Sequence, residues 1–384
     1  MTDRPEVSGE RLLADLRTLA AIGGRPDGGV DRLAGSPADL EGRLWLRRTM
    51  QEAGLKAWAD EVNNVFGTAP GASAPRLLVG SHTDTVPAGG RLDGAYGVIA
   101  ALEVLRALQL ASHPAASRME MVSFHDEEGA SGGGGLTGSR ALLKHPHIRE
   151  ISRYLEIHIE QGPVLNAAGD EIAVVEGIVG IRRLDVTMAG EANHAGTTPY
   201  SARHDAGAAA AKVAWQVREI LRTTDPDMVG NVGVISFEPG SPNVVPGKAR
   251  LVVEMRSMST ETLDRAQAAL SVAARAAAAE FACETSVEDG LVSEPVRMDP
   301  ATVEALVRVC ERSGKPWRLM PSGAGHDAGA MASAVPTGML FVPSRDGVSH
   351  SPLEHTDDHL LVQGCRVLLE AVLELVRGEV VAKH

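Results

Sequence analysis

The chain is poor in aromatic residues and in cysteine. Phe, Trp and Tyr make up 3% of its 384 residues, so any core must be built from aliphatic side chains. Its three cysteines, Cys283, Cys310 and Cys365, stand far apart. That spacing excludes a disulfide framework and a C-x-x-C zinc site, and the three read as free thiols in a reducing compartment. No apolar run approaches the roughly 18 residues of a membrane span. The opening stretch, MTDRPEVSGERLLADLRTL, lacks the basic-then-apolar order of a signal peptide. Positive charge is also in deficit: 37 Lys and Arg against 50 Asp and Glu leave a net −13, the reverse of a nucleic-acid footprint. These absences point to a soluble cytoplasmic protein with neither nucleic acid nor membrane as a partner.

What is present is ordinary globular material, 44% hydrophobic and 23% charged. At about 150 residues per domain, the length suggests two domains. Leu12, Leu13, Leu16 and Leu19 recur at helical spacing, and PADLEGRLWLRRTMQEAGL makes a second helix with Gly54 as its stop. RLLVGSH (76–82), MEMVSFHDEEG (119–129) and YLEIHIEQG (154–162) read as buried strands ending in polar residues, with a helix over 93–110 between the first two. Strands alternating with helices predict an α/β layer with a largely parallel, mixed sheet. From about 181 the order becomes strand, helix, two strands joined by the turn SPNVVPG, helix, strand. That is the order of a ferredoxin-like α+β unit. The first rhythm returns after about 293. The expectation is one α/β domain in two segments, 1–180 and 293–384, interrupted by a smaller domain over 181–292.

In open α/β sheets ligands bind beyond the carboxyl ends of the strands. His82, the pair Glu127–Glu128 and His158 all fall at such ends. Of the 13 histidines, His113, His145, His147 and His384 read as surface. A hydrolytic metal needs nitrogen and carboxylate ligands and an open position for water, and a pair of metals needs a shared ligand. The stretch GSHTDTVPAGGRLDG (80–94) offers His82 and, eleven residues on, Asp93 just before a helix. A carboxylate has two oxygens and can bridge. Asp84 is placed to hold the imidazole of His82, while the glycines let the loop fold tightly. Singly, each motif has a plain reading. Glu127–Glu128 is equally a solvated strand end, His158 a core histidine, and His350 in GVSHSPLEH an exposed loop histidine. Their recurrence in one context is what argues for a site.

Taken together, GSHTDTVPAGGRLDG, DEEG, HIEQGPVL, GEANHAGTTP, NVVPG, EMR, PSGAGHDA and FVPSRDGVSHSPLEHT make the chain resemble a known family along nearly its whole length. This is the dinuclear-metal amidohydrolase family of N-carbamoyl-L-amino acid hydrolases, allantoate amidohydrolases and β-ureidopropionases, related to aminoacylases and to carboxypeptidases with a dimerisation domain. The resemblance implies that His82, Asp93 and His158 hold one divalent metal and Asp93, Glu128 and His350 a second. Zinc, manganese, cobalt or nickel all suit such ligands. It implies Glu127 as general base and acid, and His194 as the group that polarises the scissile carbonyl, within its own subunit or across a homodimer. Gln161, Asn243, Arg256 and His326 match positions that hold substrate, His326 alternatively as a loop stabiliser. The interrupting domain becomes a lid and dimerisation domain. The implied reaction is hydrolysis of a linear amide or ureido bond in a small carboxylate-bearing substrate, releasing ammonia and carbon dioxide when that substrate is an N-carbamoyl amino acid. Alternatives are allantoate, a dipeptide or an N-acyl amino acid as substrate, and a non-catalytic binding protein on the same scaffold.

The pattern departs from the family in two places. After DEEG the family continues with an arginine and an aromatic, and here the chain reads ASGGGGLTGSR (130–140). In the last motif, Arg345 and Asp346 replace small residues.

Overall fold

The computed structural model shows a local cause in the sequence for each of its first two helices. It describes residues 4–381 apart from 131 and 133, so His384 and part of the glycine patch at 131–135 lie outside the described residues. The first helix, α1 (Gly9–Ala21), is capped by Ser8, whose hydroxyl accepts from Arg11 N–H. Helix α2 (Pro37–Glu52) starts with proline in its first turn behind the Ser36 cap. Strands β1 (Lys56–Ala59), β2 (Val65–Thr68) and β3 (Arg76–His82) follow, then α3 (Ala95–Leu110), β4 (Met119–Phe124), α4 (Thr137–Leu142), β5 (Ile151–Ile159), α5 (Val164–Ala168) and β6 (Ile172–Ile178). Next come β7 (Gly180–Ala189), β8 (Asn193–His194), α6 (Ala206–Thr224), β9 (Val229–Glu238), β10 (Val244–Val245), β11 (Lys248–Ser257), α7 (Thr260–Glu280) and β12 (Glu284–Ser293). The chain ends with β13 (Val296–Arg297), α8 (Pro300–Ser313), β14 (Trp317–Ser322), α9 (Asp327–Met331), β15 (Thr337–Val342) and α10 (Asp358–Val381).

Two compact units result, Met1–Ile178 with Arg297–His384, and Val179–Val296. In the larger unit the sheet runs β1-β2-β4-β3-β5-β15-β6-β13, with β14 also on β6. Its centre is parallel: β3 pairs with β4 and β5, and β5 with β15. Such strands are covered on both faces and read as continuous apolar runs, and every residue of β3 and β4 is buried. Helix α3 is apolar around most of its circumference and buries fourteen residues, Ala95 through Leu108. A helix without a polar face belongs inside a core. The antiparallel edge β1-β2, with its register Lys56↔Thr68 to Ala59↔Val65, has no counterpart in the sequence reading.

The smaller unit is a four-stranded antiparallel sheet in the order β12-β7-β11-β9. Helices α6 and α7 cover one face, through Val213, Val217, Leu221, Leu263 and Leu270 against Leu184, Val186, Leu251 and Val253. This is the ferredoxin-like arrangement that the order of elements predicts.

Candidate metal centre

The parallel strands of the larger unit deliver the site residues at their carboxyl ends. His82 closes β3, and the turn after β4 carries Glu127 and Glu128. His158 lies one residue from the end of β5, and the loop after β15 holds His350. Buried cations brace these ends. The Arg32 guanidinium is fully buried and donates to the carbonyls of Thr83 (2.7 Å), Leu19 (2.8 Å) and Ile22 (2.9 Å). Burial lowers its pKa only to about 10, so it stays charged. Arg43 pairs with Asp39 at 2.9 Å and donates to the carbonyls of Asn63 and Phe124.

Two sets of ligand atoms converge, each within 4.8 Å: His82, Asp93 and His158, and Asp93, Glu128 and His350. Asp93 belongs to both. Its Oδ1 lies 3.1 Å from His158 Nε2 and 3.6 Å from His82 Nε2, and its Oδ2 lies 3.2 Å from His350 Nε2. His350 Nε2 is also 3.3 Å from Glu128 Oε1, a buried oxygen with no hydrogen-bond partner.

The histidine tautomers suit a cation. His82 Nδ1 is 3.0 Å from the backbone carbonyl of Asp84, and His158 Nδ1 is 2.8 Å from that of Ile159. A carbonyl only accepts, so both Nδ1 atoms donate, and in the neutral rings both Nε2 atoms are acceptors close to Asp93 Oδ1, that of His158 taking the Gly94 N–H at 3.0 Å. Outer hydrogen bonds of this kind orient metal-binding imidazoles. The electrostatics ask for positive charge at the same place. Burial opposes charging of His158, but the hydrogen bond and charge of Asp93 outweigh it and carry the ring up to about 9. Asp93 and Glu128 carry His350 up to about 10. Nitrogen and carboxylate donors with a shared aspartate, an orphaned carboxylate oxygen and excess negative charge fit a pair of divalent cations.

Glu127 stands beside both sets, with Oε2 3.7 Å from His82 Nε2. Burial first, then Asp327, Glu128, Asp84 and Asp93, hold its carboxyl well above the usual range. Gln161 donates from Nε2 to Asp93 Oδ2 at 2.8 Å, and its buried Oε1 has no hydrogen-bond partner. Gln161 and His350 both have positive φ, 60° and 52°. For residues other than glycine this costs about 1–3 kcal/mol each and is concentrated at functional sites.

Two expectations need correction, those for Asp84 and His147, and the one for the loop glycines needs an addition. The prop on His82 is the Asp84 backbone, because the Asp84 carboxylate stands 3.7 Å off and instead accepts from the N–H groups of Glu127 (3.4 Å) and Glu128 (3.2 Å). Asp84 thus fixes the turn that carries the glutamates. The glycines of the 80–94 loop answer to side chains as well as to the turn. A Cβ on Gly94 would come within 2.3 Å of His82 Nε2, and one on Gly90 within 2.0 Å of the Glu354 carboxylate. His147, expected at the surface, holds Glu120 at 2.7 Å beneath the sheet edge. His326 is buried, with Nε2 2.9 Å from Ser322 Oγ and its ring edge-on to His158 at 4.6 Å between centroids.

The sequence reading missed Glu156 and Asp327. Glu156 is buried two residues before His158 on the same face of β5. It accepts from Ser81 Oγ (2.6 Å) and Ala328 N–H (2.9 Å). Burial and then Glu156 push Asp327 up to about 8. The i, i+2 spacing to a candidate ligand was the available signal for Glu156, and adjacency to His326 the signal for Asp327. His326 and Glu156 also form a third set with His158, but both Glu156 oxygens are already committed to hydrogen bonds.

In the smaller unit, His194 is exposed at β8. Its Nδ1 accepts from Gly196 N–H (3.0 Å) and Thr197 N–H (3.2 Å), so the neutral ring carries its proton on Nε2. Asn243 Oδ1 accepts from Ser241 Oγ at 2.6 Å, which leaves the amide nitrogen to donate. Arg256 pairs along its own strand with Glu254 at 2.7 Å.

Comparisons with known proteins give the family of the chain. The profile of Peptidase family M20/M25/M40 matches residues 78–374. An N-carbamoyl-L-amino acid amidohydrolase of Geobacillus stearothermophilus is 35% identical over 97% of this chain and 100% of that protein. An allantoate amidohydrolase of Escherichia coli (strain K12) is 34% identical over 93% of this chain and 95% of the other. The crystal structure of an amidase of the hydantoinase/carbamoylase family from Burkholderia multivorans superposes with a TM-score of 0.91 at 34% identity, covering 96% and 98% of the two chains.

Proposed function

Because this chain belongs to Peptidase family M20/M25/M40, we propose that it is an amidohydrolase that cleaves the ureido group of an N-carbamoyl-L-amino acid. The observation that carries the reading is the pair of ligand sets sharing Asp93, with Glu127 alongside. His82, Asp93 and His158 would hold one divalent cation, and Asp93, Glu128 and His350 the other. When bound, such cations polarise a carbonyl and lower the pKa of water.

The residues of the chain do the rest. Glu127 takes the proton of the attacking water and later hands it to the departing nitrogen. Its buried, acid-flanked carboxyl has the raised proton affinity that such a shuttle needs. His194, with its proton on Nε2, donates to the oxygen on which negative charge develops. Arg256 grips the substrate carboxylate in a two-pronged pair, the Asn243 amide donates to it, and the free Gln161 Oε1 accepts an N–H. Ammonia leaves, and the carbamate that remains loses carbon dioxide.

The test is ammonia release by metal-loaded protein on N-carbamoyl-L-amino acids, allantoate and ureidopropionate, with amine detection for dipeptides and N-acyl amino acids. Ammonia from an N-carbamoyl-L-amino acid is expected. Silence on every ureido substrate, with cleavage of a dipeptide or acyl amide, would overturn the reading.

A further inference from the structure

Glu354 touches neither histidine of the first ligand set nor Glu128, yet it is 4% exposed and bonded on both oxygens. Its Oε1 accepts from the N–H groups of Leu92 (2.8 Å) and Asp93 (3.1 Å). Its Oε2 accepts from Ser349 Oγ (2.8 Å), next to the ligand His350. One carboxylate therefore ties the loop that carries Asp93 to the loop that carries His350. Gly90 leaves room for it.

Ser349 Oγ also lies 3.1 Å from Asp93 Oδ2, and it has one proton to give. While Glu354 accepts that proton, Asp93 Oδ2 takes only the Gln161 Nε2–H at 2.8 Å and keeps a lone pair free. That oxygen faces the second ligand set, since His350 approaches Oδ2 whereas His158 and His82 approach Oδ1. A glutamine could still accept from the two backbone N–H groups. It has only one acceptor oxygen, however, and its NH₂ would donate to Ser349. The Ser349 proton would then turn to Asp93 Oδ2. This explains why an expensive buried carboxylate stands where an amide would fit.

We propose that Glu354 is a positioning residue that joins the Asp93 and His350 loops and draws the Ser349 proton away from Asp93, preserving the second ligand set. The proposal rests on the two-cation reading above. The test titrates the chelator-stripped full chain with Co²⁺, followed by calorimetry and by the metal's visible absorption. Glu354→Gln is expected to weaken one of two equivalents about 10–100-fold, the usual cost of disturbing an outer hydrogen bond, and to leave the other unchanged. Adding Ser349→Ala removes the misdirected proton and is expected to return that equivalent toward the wild-type affinity. Glu354→Gln binding both equivalents like the wild type, weakening both alike, or failing to recover in the double variant would each overturn the proposal. Ser349→Ala alone is the control for folding, and its failure to hold two equivalents would likewise overturn it. A wild-type chain that takes up fewer than two equivalents would defeat the two-cation reading instead, so the two failures are distinguishable.

Discussion

Glu127 and Glu128 are adjacent acids to which the proposed reaction gives different tasks, and geometry separates them. Glu128 Oε1 meets His350 across the second ligand set, whereas Glu127 Oε2 faces His82. Replacing Glu127 by glutamine keeps the shape and removes the proton acceptor. Glu127→Gln should therefore bind divalent metal as the wild type does and lose about 10²–10⁴-fold in turnover, the range of general acid–base contributions. A Co²⁺ titration beside the ammonia assay measures both, and near-normal turnover would remove Glu127 from the mechanism. At this scale the residues of the two ligand sets were legible as candidates, His82, Glu128 and His158 in short motifs at or just after strand ends and Asp93 and His350 in short loop motifs. The partners that hold them were not. Glu354 reaches Leu92 and Asp93 across more than 260 residues, and no local spacing records such a contact. Asp84 shows the complementary limit. Sequence placed it beside His82, but only the turn conformation decides that its carbonyl meets the ring while its carboxylate turns to the glutamates.

Among the elements, the strands that end in polar residues were readable to within a few positions, β3 to the residue. Burial on both faces makes such strands uninterrupted apolar runs, which are easy to see. The antiparallel edge escaped notice because β1 and β2 have four residues each, too few for alternation to register. Near this edge a buried ionic cluster joins strands to the following turn. Glu120 on β4 accepts from Arg76 on β3 at 2.6 Å and from His147 at 2.7 Å. The Glu120 hydrogen bond, against some loss from burial, raises His147 above its usual value. A histidine raised on folding contributes stability that is complete below the unfolded value of 6.5 and is lost as pH climbs through the folded value. The difference in thermal unfolding midpoint between the wild type and His147→Asn should therefore be largest below about pH 6.5 and shrink above it. Unfolding scans of both proteins across pH 5.5–8.5, roughly the range histidines titrate in, make the measurement. A difference that does not change with pH would mean that Glu120 is not held by a charged ring.

At the scale of the whole molecule, the smaller unit carries surface that a lone chain has no use for. Strand β9 lies at one edge of its sheet and exposes Val229, Val234, Ile235 and Phe237, at 58%, 44%, 44% and 40%. Trp215 on α6 is 87% exposed. An unprotected apolar edge strand is a template for pairing, and helix-plus-edge surfaces of this kind are covered in stable assemblies by a second copy. The expected solution state is a homodimer through the smaller unit, measured by chromatography with light scattering. Ile235→Lys puts a charge on that edge without entering the core of the unit, and it should yield a monomer that unfolds like the wild type. The monomer then decides how the exposed His194 works. The ligand sets lie within one larger unit, so the monomer should bind metal as the dimer does. If His194 serves the neighbouring subunit, turnover falls to the level of His194→Ala. Full turnover in the monomer would place His194 in its own subunit's reaction, and a wild-type chain that runs as a monomer would leave the β9 edge to some other partner.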